Sequence, residues 1–295
     1  MAKVSVLLAT YRWGGLDVSL AGLSNQTFRD FEVILCDPHY ERRKDAVADY
    51  NKKFDVPLVH VKPARDNMPL DSGSKHRNSA ICNAEGELCI FLCDYAFVRP
   101  DWIQRHWDVH QNQNERYGGY TCMGPHRYRH HPAIKETWDG EPISIFKEEF
   151  RAEMIDAFPV LEEGQDPKLA LPTGEIAGSY FHMKNESIRT ETLMALNGCD
   201  EGFDVDGGHC YSDMDLGLRS DKFGNPFWLD PGNIAEIVQV RDFYPTLLRK
   251  RTTEEDYKYF LERQSNYFTE LAAPNDFNMR EAREETLLNR KLKNK

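Results

Sequence analysis

V-S-V-L-L-A at residues 4–9 and F-E-V-I-L-C at residues 31–36 are two short apolar, β-rich runs. Between them, L-D-V-S-L-A-G-L-S at residues 16–24 carries Leu16, Leu20 and Leu23 on one helical face. Gly14-Gly15 breaks the chain ahead of this helix, and Asn25-Gln26-Thr27 closes it. Strand, helix and strand within about 35 residues make a βαβ unit, which predicts a parallel sheet. Ligands of such sheets bind beyond the carboxyl ends of the strands. That places Thr10, Tyr11 and Arg12 after the first strand, and Asp37 at the open end of the second, at a candidate site. Asp37 is suited to accept hydrogen bonds from a ribose or a base N–H; alone, it would read as a loop acid.

The pattern continues outward. V-P-L-V-H-V at 56–61 is a third strand, and Ser72 to Ala84 a helix containing Lys75, His76, Arg77 and Asn78. Glu87 to Cys93 is a fourth strand running into Asp94-Tyr95. No G-x-G-x-x-G follows these strands and there is no G-K-[ST] loop, which disfavours a dinucleotide-dependent dehydrogenase and a P-loop NTPase. Asp101 to Tyr117 reads as a helix and Tyr120 to Met123 as a strand. P-H-R-Y-R-H-H-P at 125–132 is a basic, aromatic cluster that could face a phosphorylated or nucleic-acid acceptor. A solvated loop is the favoured reading. Glu148 to Phe158 is helical, Thr173 to Met183 strand-like, and a helix from Glu186 ends at Asn197-Gly198. Phe227 to Leu229 and Ile234 to Val240 are later strands, and 253–272 and 279–293 are charged amphipathic helices split by Pro274.

The stretch from Asn197 to Arg219, N-G-C-D-E-G-F-D-V-D-G-G-H-C-Y-S-D-M-D-L-G-L-R, concentrates glycines and acids. Glycines let a backbone come close to a ligand. M-D-L-G-L-R reads as a first helical turn with Ser212 or Asp213 as cap. A carboxylate at a helix N-terminus stays ionised, and an ionised carboxylate on a glycine-rich approach suits a general base for a hydroxyl. Simple helix capping is the alternative reading of these acids.

The charge balance, 37 Lys and Arg against 48 Asp and Glu, gives −11 and argues against non-specific binding to nucleic acid or an anionic membrane. Seven cysteines, an odd number without a C-x-x-C pair, read as reduced core thiols of a cytoplasmic protein. Met1-Ala2-Lys3 leads straight into a strand, so no signal peptide is expected, and Leu88 to Cys93 is far too short to span a bilayer.

Four segments together resemble family 2 glycosyltransferases, which have the GT-A fold. Val4 to Arg12 is similar to that family's opening strand and P-T-Y-N-like turn. Ser19 to Asp37 resembles its S-L-x-x-Q-T…F-E-(apolar)-D segment, and His76 to Leu92 its R-N-x-A…G-E-x-(apolar)-F-L segment. Asn197 to Arg219 resembles its acceptor segment with an E-D-x-D-L-x-x-R-like end.

The resemblance implies an α/β, GT-A-like domain over residues 1–245 with a mostly parallel central sheet, an atypical insertion at 120–172, and a helical C-terminal extension at 246–295. It implies an inverting transferase using a nucleotide-sugar donor, a UDP-sugar first. Thr10, Tyr11, Arg12 and Asp37 would hold the nucleoside. Lys75, Arg77 and Asn78 would lie near the nucleotide or its pyrophosphate, and Asp213 falls on the position of the catalytic base. Asp215, Gly207 and Gly208 fall at the acceptor.

The family's strand normally ends in Asp-x-Asp, to bind Mn²⁺ or Mg²⁺ against the diphosphate. Here Cys93-Asp94-Tyr95 leaves one carboxylate, shifted by one residue. Asp94 with His209 is the expected metal pair, with Lys75 or Arg77 as a basic substitute. The acceptor is left open among a glycan, a lipid-linked sugar and a modified nucleobase, and the C-terminal helices are candidates for pairing two chains. An inactive nucleotide- or glycan-binding module and a nucleotidyltransferase are the alternative functions.

Overall fold

The computed structural model describes residues 2–10, 16–64, 73–94, 96–111, 120–130, 174–176, 181–207, 211–239, 253–267 and 269–293. The first three strands, β1 (Val4–Ala9), β2 (Phe31–Cys36) and β3 (Leu58–Val61), lie parallel, with Val4 opposite Phe31 and Val33 opposite Leu58. β4 (Leu88–Leu92) joins β1 on its other side, also parallel. Helices α1 (Leu16–Ser24), α2 (Tyr40–Phe54) and α3 (Gly73–Asn83) connect them.

After β4 the chain passes through β5 (Ala96–Val98), α4 (Trp102–Gln111), β6 (Thr121–Met123) and β7 (His126–His130). β8 (Gly174–Ile176) and β9 (Asn185–Arg189) follow, then α5 (Thr190–Ala195), a 3-10 helix at Glu201–Gly207, and α6 (Ser212–Lys222). β10 (Phe227–Leu229), β11 (Ala235–Gln239), α7 (Thr253–Asn266) and α8 (Met279–Lys293) complete the described elements. The main sheet has eight strands in the order β3-β2-β1-β4-β9-β6-β10-β8, and β5-β11-β7 form a smaller one. β9 runs antiparallel between β4 and β6, with Leu92 opposite Asn185.

The apolar runs of β1, β2 and β4 are continuous because both faces of the sheet are covered. Val4, Val6, Leu8, Val33, Leu35, Ile90 and Leu92 face α1, α2 and α4. Leu7, Ile34, Cys36, Cys89 and Phe91 face α3, α5, α6 and the start of α8. The C-terminal helices pack on this domain. Arg283 and Arg290 of α8 donate to the carbonyls of Ala84 and Asn83, each at 2.9 Å, and so close the C-terminal end of α3. Arg290 also pairs with Glu32 of β2 at 3.0 Å. Where α5 ends, Asn197 and Gly198 both have positive φ. A Cβ at Gly198 would collide with the Asn78 side chain and Met279, so glycine is required there twice over.

The helix expected from Glu186 is instead β9 followed by α5. N-E-S-I-R reads as polar, yet it is a central strand whose Asn185, Glu186 and Ser187 side chains are hydrogen-bonded. The Asn185 carboxamide oxygen accepts from Trp102 Nε1 at 2.6 Å, and Ser187 Oγ lies 3.0 Å from His106 Nδ1 and 2.9 Å from His110 Nε2. The basic cluster at 125–132, expected as a loop, contains β7, paired parallel with β11. The proposed helix at 148–158 lies outside the described residues. The six described cysteines are free, and no helix among the described residues is long and apolar enough to cross a membrane.

Candidate functional site

Thr10 follows β1 and Asp94 follows β4, adjacent strands whose carboxyl ends lie together. The Thr10 hydroxyl donates to Asp94 Oδ2 at 2.8 Å, and the Cys93 thiol lies 3.6 Å from Oδ1. The carboxylate expected at the strand exit is therefore oriented by the neighbouring strand, and it is buried.

Asp37 does stand at the end of β2, but not in the open. It is wholly buried, and its oxygens take the Arg43 guanidinium at 2.9 and 2.5 Å, the His39 amide at 2.8 Å and His60 Nε2 at 3.0 Å. Burial alone would raise its pKa; the His60 bond and the Arg43 charge overcome this and hold it at about 2. The expected direct contact with a nucleoside is corrected on this geometry, because its acceptor positions are already filled.

Lys75, Arg77 and Asn78 were expected near the nucleotide or its pyrophosphate, and α3 points Lys75 and Arg77 in different directions. Residues two apart on a helix point about 200° away from each other. Lys75 faces a cavity against α8, whereas Arg77 turns toward the start of α6, where its charge lowers the pKa of Asp213. Arg77 is half-buried and makes no hydrogen bond or ion pair among the described residues. Asn78 is buried: its Nδ2 donates to the Cys199 carbonyl at 2.9 Å and its Oδ1 accepts the Cys199 amide at 2.8 Å. It ties α3 to the glycine-rich stretch.

That stretch also caps α3. Asp204, on the 3-10 helix, accepts the Ser74 and Lys75 amides at 3.0 and 2.7 Å, filling orphan donors at the helix N-terminus. Burial pushes its carboxyl up to about 7 against the pull of those amides.

α6 begins at Ser212, with Tyr211 as its cap at a positive φ of 68° and no side-chain capping bond. The expected cap, Ser212 or Asp213, lies one or two residues further in. Asp213 keeps 26% of its side chain exposed. Its Oδ1 accepts the Met214 amide at 2.9 Å, and Oδ2 lies 3.9 Å from His182 Nδ1. Burial would raise its pKa, but His182, Arg77 and that amide hold it below the usual range.

Asp215 is different. It is fully buried, pairs with Arg219 at 2.7 Å and accepts the Tyr267 hydroxyl at 2.5 Å. Arg219 in turn donates to the carbonyls of Leu196 and Gly198, at 2.8 and 3.0 Å. The expected acceptor contact of Asp215 is therefore corrected: it clamps α6 to α7 and to the turn after α5.

His182 and Glu186 were not anticipated. His182 is 41% exposed at its side chain, and the neighbouring Asp213 raises its pKa. Glu186, buried on β9, accepts the amides of His182, Lys184 and Asn185 at 3.2, 2.5 and 2.8 Å. It thereby fixes a turn in which Met183 has a φ of 50°. Burial pushes the Glu186 carboxyl up to about 7. Because β9 runs antiparallel to β4, this turn lies beside the exit toward Asp94; the Cys93 amide donates to the Lys184 carbonyl at 3.3 Å. The signal in sequence was F-H-M-K-N-E, a histidine four residues before an acid.

Gly207 closes the 3-10 helix. Tyr11, Arg12, Gly208 and His209 lie outside the described residues. Among the described residues no group of three or more His, Cys, Asp and Glu gathers as a metal cluster.

No family model matches this sequence, and no curated protein does. Solved structures do. The chain is similar to TarS of S. aureus, residues 1–349 in complex with UDP, over 95% of this chain and 68% of that one, with a TM-score of 0.58 at 12% identity. It is similar to the mannosyltransferase PcManGT of Pyrobaculum calidifontis, in complex with GDP-Man and Mn²⁺, over 98% and 75%, with a TM-score of 0.51 at 14% identity. It is also similar to GalNAc-T7, with UDP, GalNAc and Mn²⁺, over 90% and 50%, with a TM-score of 0.56 at 14% identity. Thr10 and Asp94 meet at the carboxyl ends of β1 and β4, Asp213 at the start of α6 lies beside His182, and the chain as a whole has a GT-A-like α/β fold.

Proposed function

We propose that this protein is an inverting glycosyltransferase that moves a sugar from a nucleoside diphosphate, UDP first, to an acceptor hydroxyl. One observation carries this reading. Of two acids on α6, Asp215 is locked away, while Asp213 is partly exposed and held ionised beside His182 and Arg77. In the reaction the acceptor oxygen gives its proton to Asp213 and forms a bond to the anomeric carbon. The bond from that carbon to the diphosphate breaks, and the diphosphate leaves with the electron pair. Arg77, which makes no hydrogen bond or ion pair among the described residues, is the cation that meets its charge in this reading. Thr10 orients Asp94, and Tyr11 and Arg12 follow it in sequence at the nucleoside.

A small divalent cation needs only one or two carboxylates when phosphate oxygens and waters complete its shell. Asp94 meets that need, and the cation, Mn²⁺ or Mg²⁺, would supply charge neutralisation at the diphosphate. His209 is the second ligand of this reading. The Mn²⁺ complexes of PcManGT and GalNAc-T7 support a divalent cation in this reading. The free, mostly buried thiols fit a reducing, cytoplasmic compartment.

The test is UDP release on incubation with UDP-sugars and candidate acceptors, with and without EDTA. Asp213→Asn keeps the size of the side chain but cannot take a proton. General-base assistance is worth about 10²–10⁴-fold, so turnover should fall by that factor with UDP affinity unchanged. Full activity in EDTA would move the diphosphate's charge onto Arg77 alone. The replacement of Asp-x-Asp by Cys93-Asp94-Tyr95 favours a second reading, a module that binds nucleotide without turnover. UDP binding with no release from any donor would establish it, and pyrophosphate release would point to nucleotidyl transfer.

A further inference from the structure

A cavity of about 380 Å³ lies between α3 and α8, on the side of α3 opposite Arg77. It is at the small end of the roughly 300–1,000 Å³ range of ligand clefts, a size for a monosaccharide phosphate rather than a whole nucleotide sugar. Its walls come from four separate parts of the chain: Lys62 after β3, Lys75 and Asn83 on α3, Glu201 on the 3-10 helix, and Phe277 and Thr286 at α8.

The walls are fixed before any ligand arrives. Arg283 and Arg290 fasten α8 to the end of α3, Cys82 Sγ meets Met279 Sδ at 3.5 Å, and Asn78 Nδ2 holds Glu201 Oε1 at 3.1 Å. Preformed walls spare a ligand the ordering cost of binding.

The lining is chemically sorted. Lys75 is half-buried, and its ammonium has no hydrogen bond or ion pair among the described residues. Among the described residues the lining also carries the exposed Lys62 and the carboxylate of Glu201, each with further interactions of its own. A held carboxylate and the Asn83 amide suit hydroxyl groups. Phe277 and Ala282 offer an apolar surface to the face of a pyranose ring.

We infer that this cavity is a second small-molecule site, separate from the Asp213 site, and that its ligand is a phosphorylated monosaccharide. Lys75 takes the phosphate, and Glu201 and Asn83 take the hydroxyls.

Calorimetric titration of the full chain tests this. The probes are glucose 6-phosphate, glucose 1-phosphate, mannose 6-phosphate and N-acetylglucosamine 6-phosphate, each with and without saturating UDP, beside glucose and inorganic phosphate alone. At least one sugar phosphate should bind with UDP present, at least tenfold more tightly than glucose or phosphate. Lys75→Gln should weaken it tenfold or more. Thr286→Phe, which fills the cavity from the α8 side, should abolish it while UDP affinity and circular dichroism stay unchanged. Should Thr286→Phe unfold α8, Ala282→Leu replaces it as the filling variant. The site is overturned if no sugar phosphate binds, if UDP displaces it, if phosphate alone binds as well, or if binding survives in a folded filling variant.

Discussion

His182 is the side chain that does most to keep Asp213 ionised against burial. His182→Ala removes the imidazole hydrogen bond and its charge, so the Asp213 pKa should rise. The acidic limb of the kcat/KM profile should then move to higher pH, and a limb that stays in place would mean that Arg77 and the Met214 amide suffice. Asp37 bears on stability instead. Asp37→Asn leaves the buried Arg43 guanidinium without its counter-ion, which costs about 3–5 kcal/mol at neutral pH. The folded pKa, about 2, lies below the ordinary 3.8, so this stabilisation is complete above about 4 and is lost as pH falls toward 2. Urea melts of the two proteins should therefore differ widely at pH 7 and converge toward pH 2; an equal gap throughout would put the effect in packing. At this scale the sequence told part of the story. The position of Asp213 in the first turn of a helix was readable from its motif. His182 was not, since only the antiparallel placement of β9 beside β4 brings it within reach of α6. Asp37 was readable as to position and misleading as to surroundings, because Arg43 lies on a helix whose pattern is almost wholly polar.

The elements were legible where a face is apolar. β1, β2 and α1 begin and end where the hydrophobic runs do. α2 escaped because its fifteen residues bury little beyond Val47, Phe54 and Arg43. β9 escaped because its buried polar groups pair with α4, which no local period reveals. Two element junctions also set a pH dependence. Asp204 caps α3, and Glu186 organises the turn into β9; both carboxyls are pushed up to about 7 by burial. A raised folded pKa means that the folded state holds the proton more tightly than the unfolded chain. The resulting stabilisation is complete below the ordinary carboxyl range, declines as pH rises toward about 7, and stays level above it. The melting temperature should therefore fall between pH 5 and pH 7.5. The double variant Asp204→Asn, Glu186→Gln should flatten that slope, and an unaltered slope would assign it to other groups.

At the scale of the molecule, the parallel half of the sheet presents β1, β2 and β4 to the site, while β9 and α6, from much later in the chain, bring His182 and Asp213 to it. The resemblance of the four sequence segments anticipated this architecture. The cavity between α3 and α8 it could not, since its walls are assembled from four parts of the chain. The bond between Glu32 and Arg290 joins positions 258 residues apart, and this has a consequence in time. A ribosome adding about 5–20 residues per second needs about 13–50 s between the two positions. Throughout that interval β2 carries a carboxylate whose counter-ion does not yet exist, and the end of α3 lacks both arginines. Nascent chains arrested before Met279 should be cleaved in the β2–α3 region by a protease that spares the same region once residue 293 has cleared the ribosome. Equal resistance at both lengths would show that the early strands reach their final stability without α8.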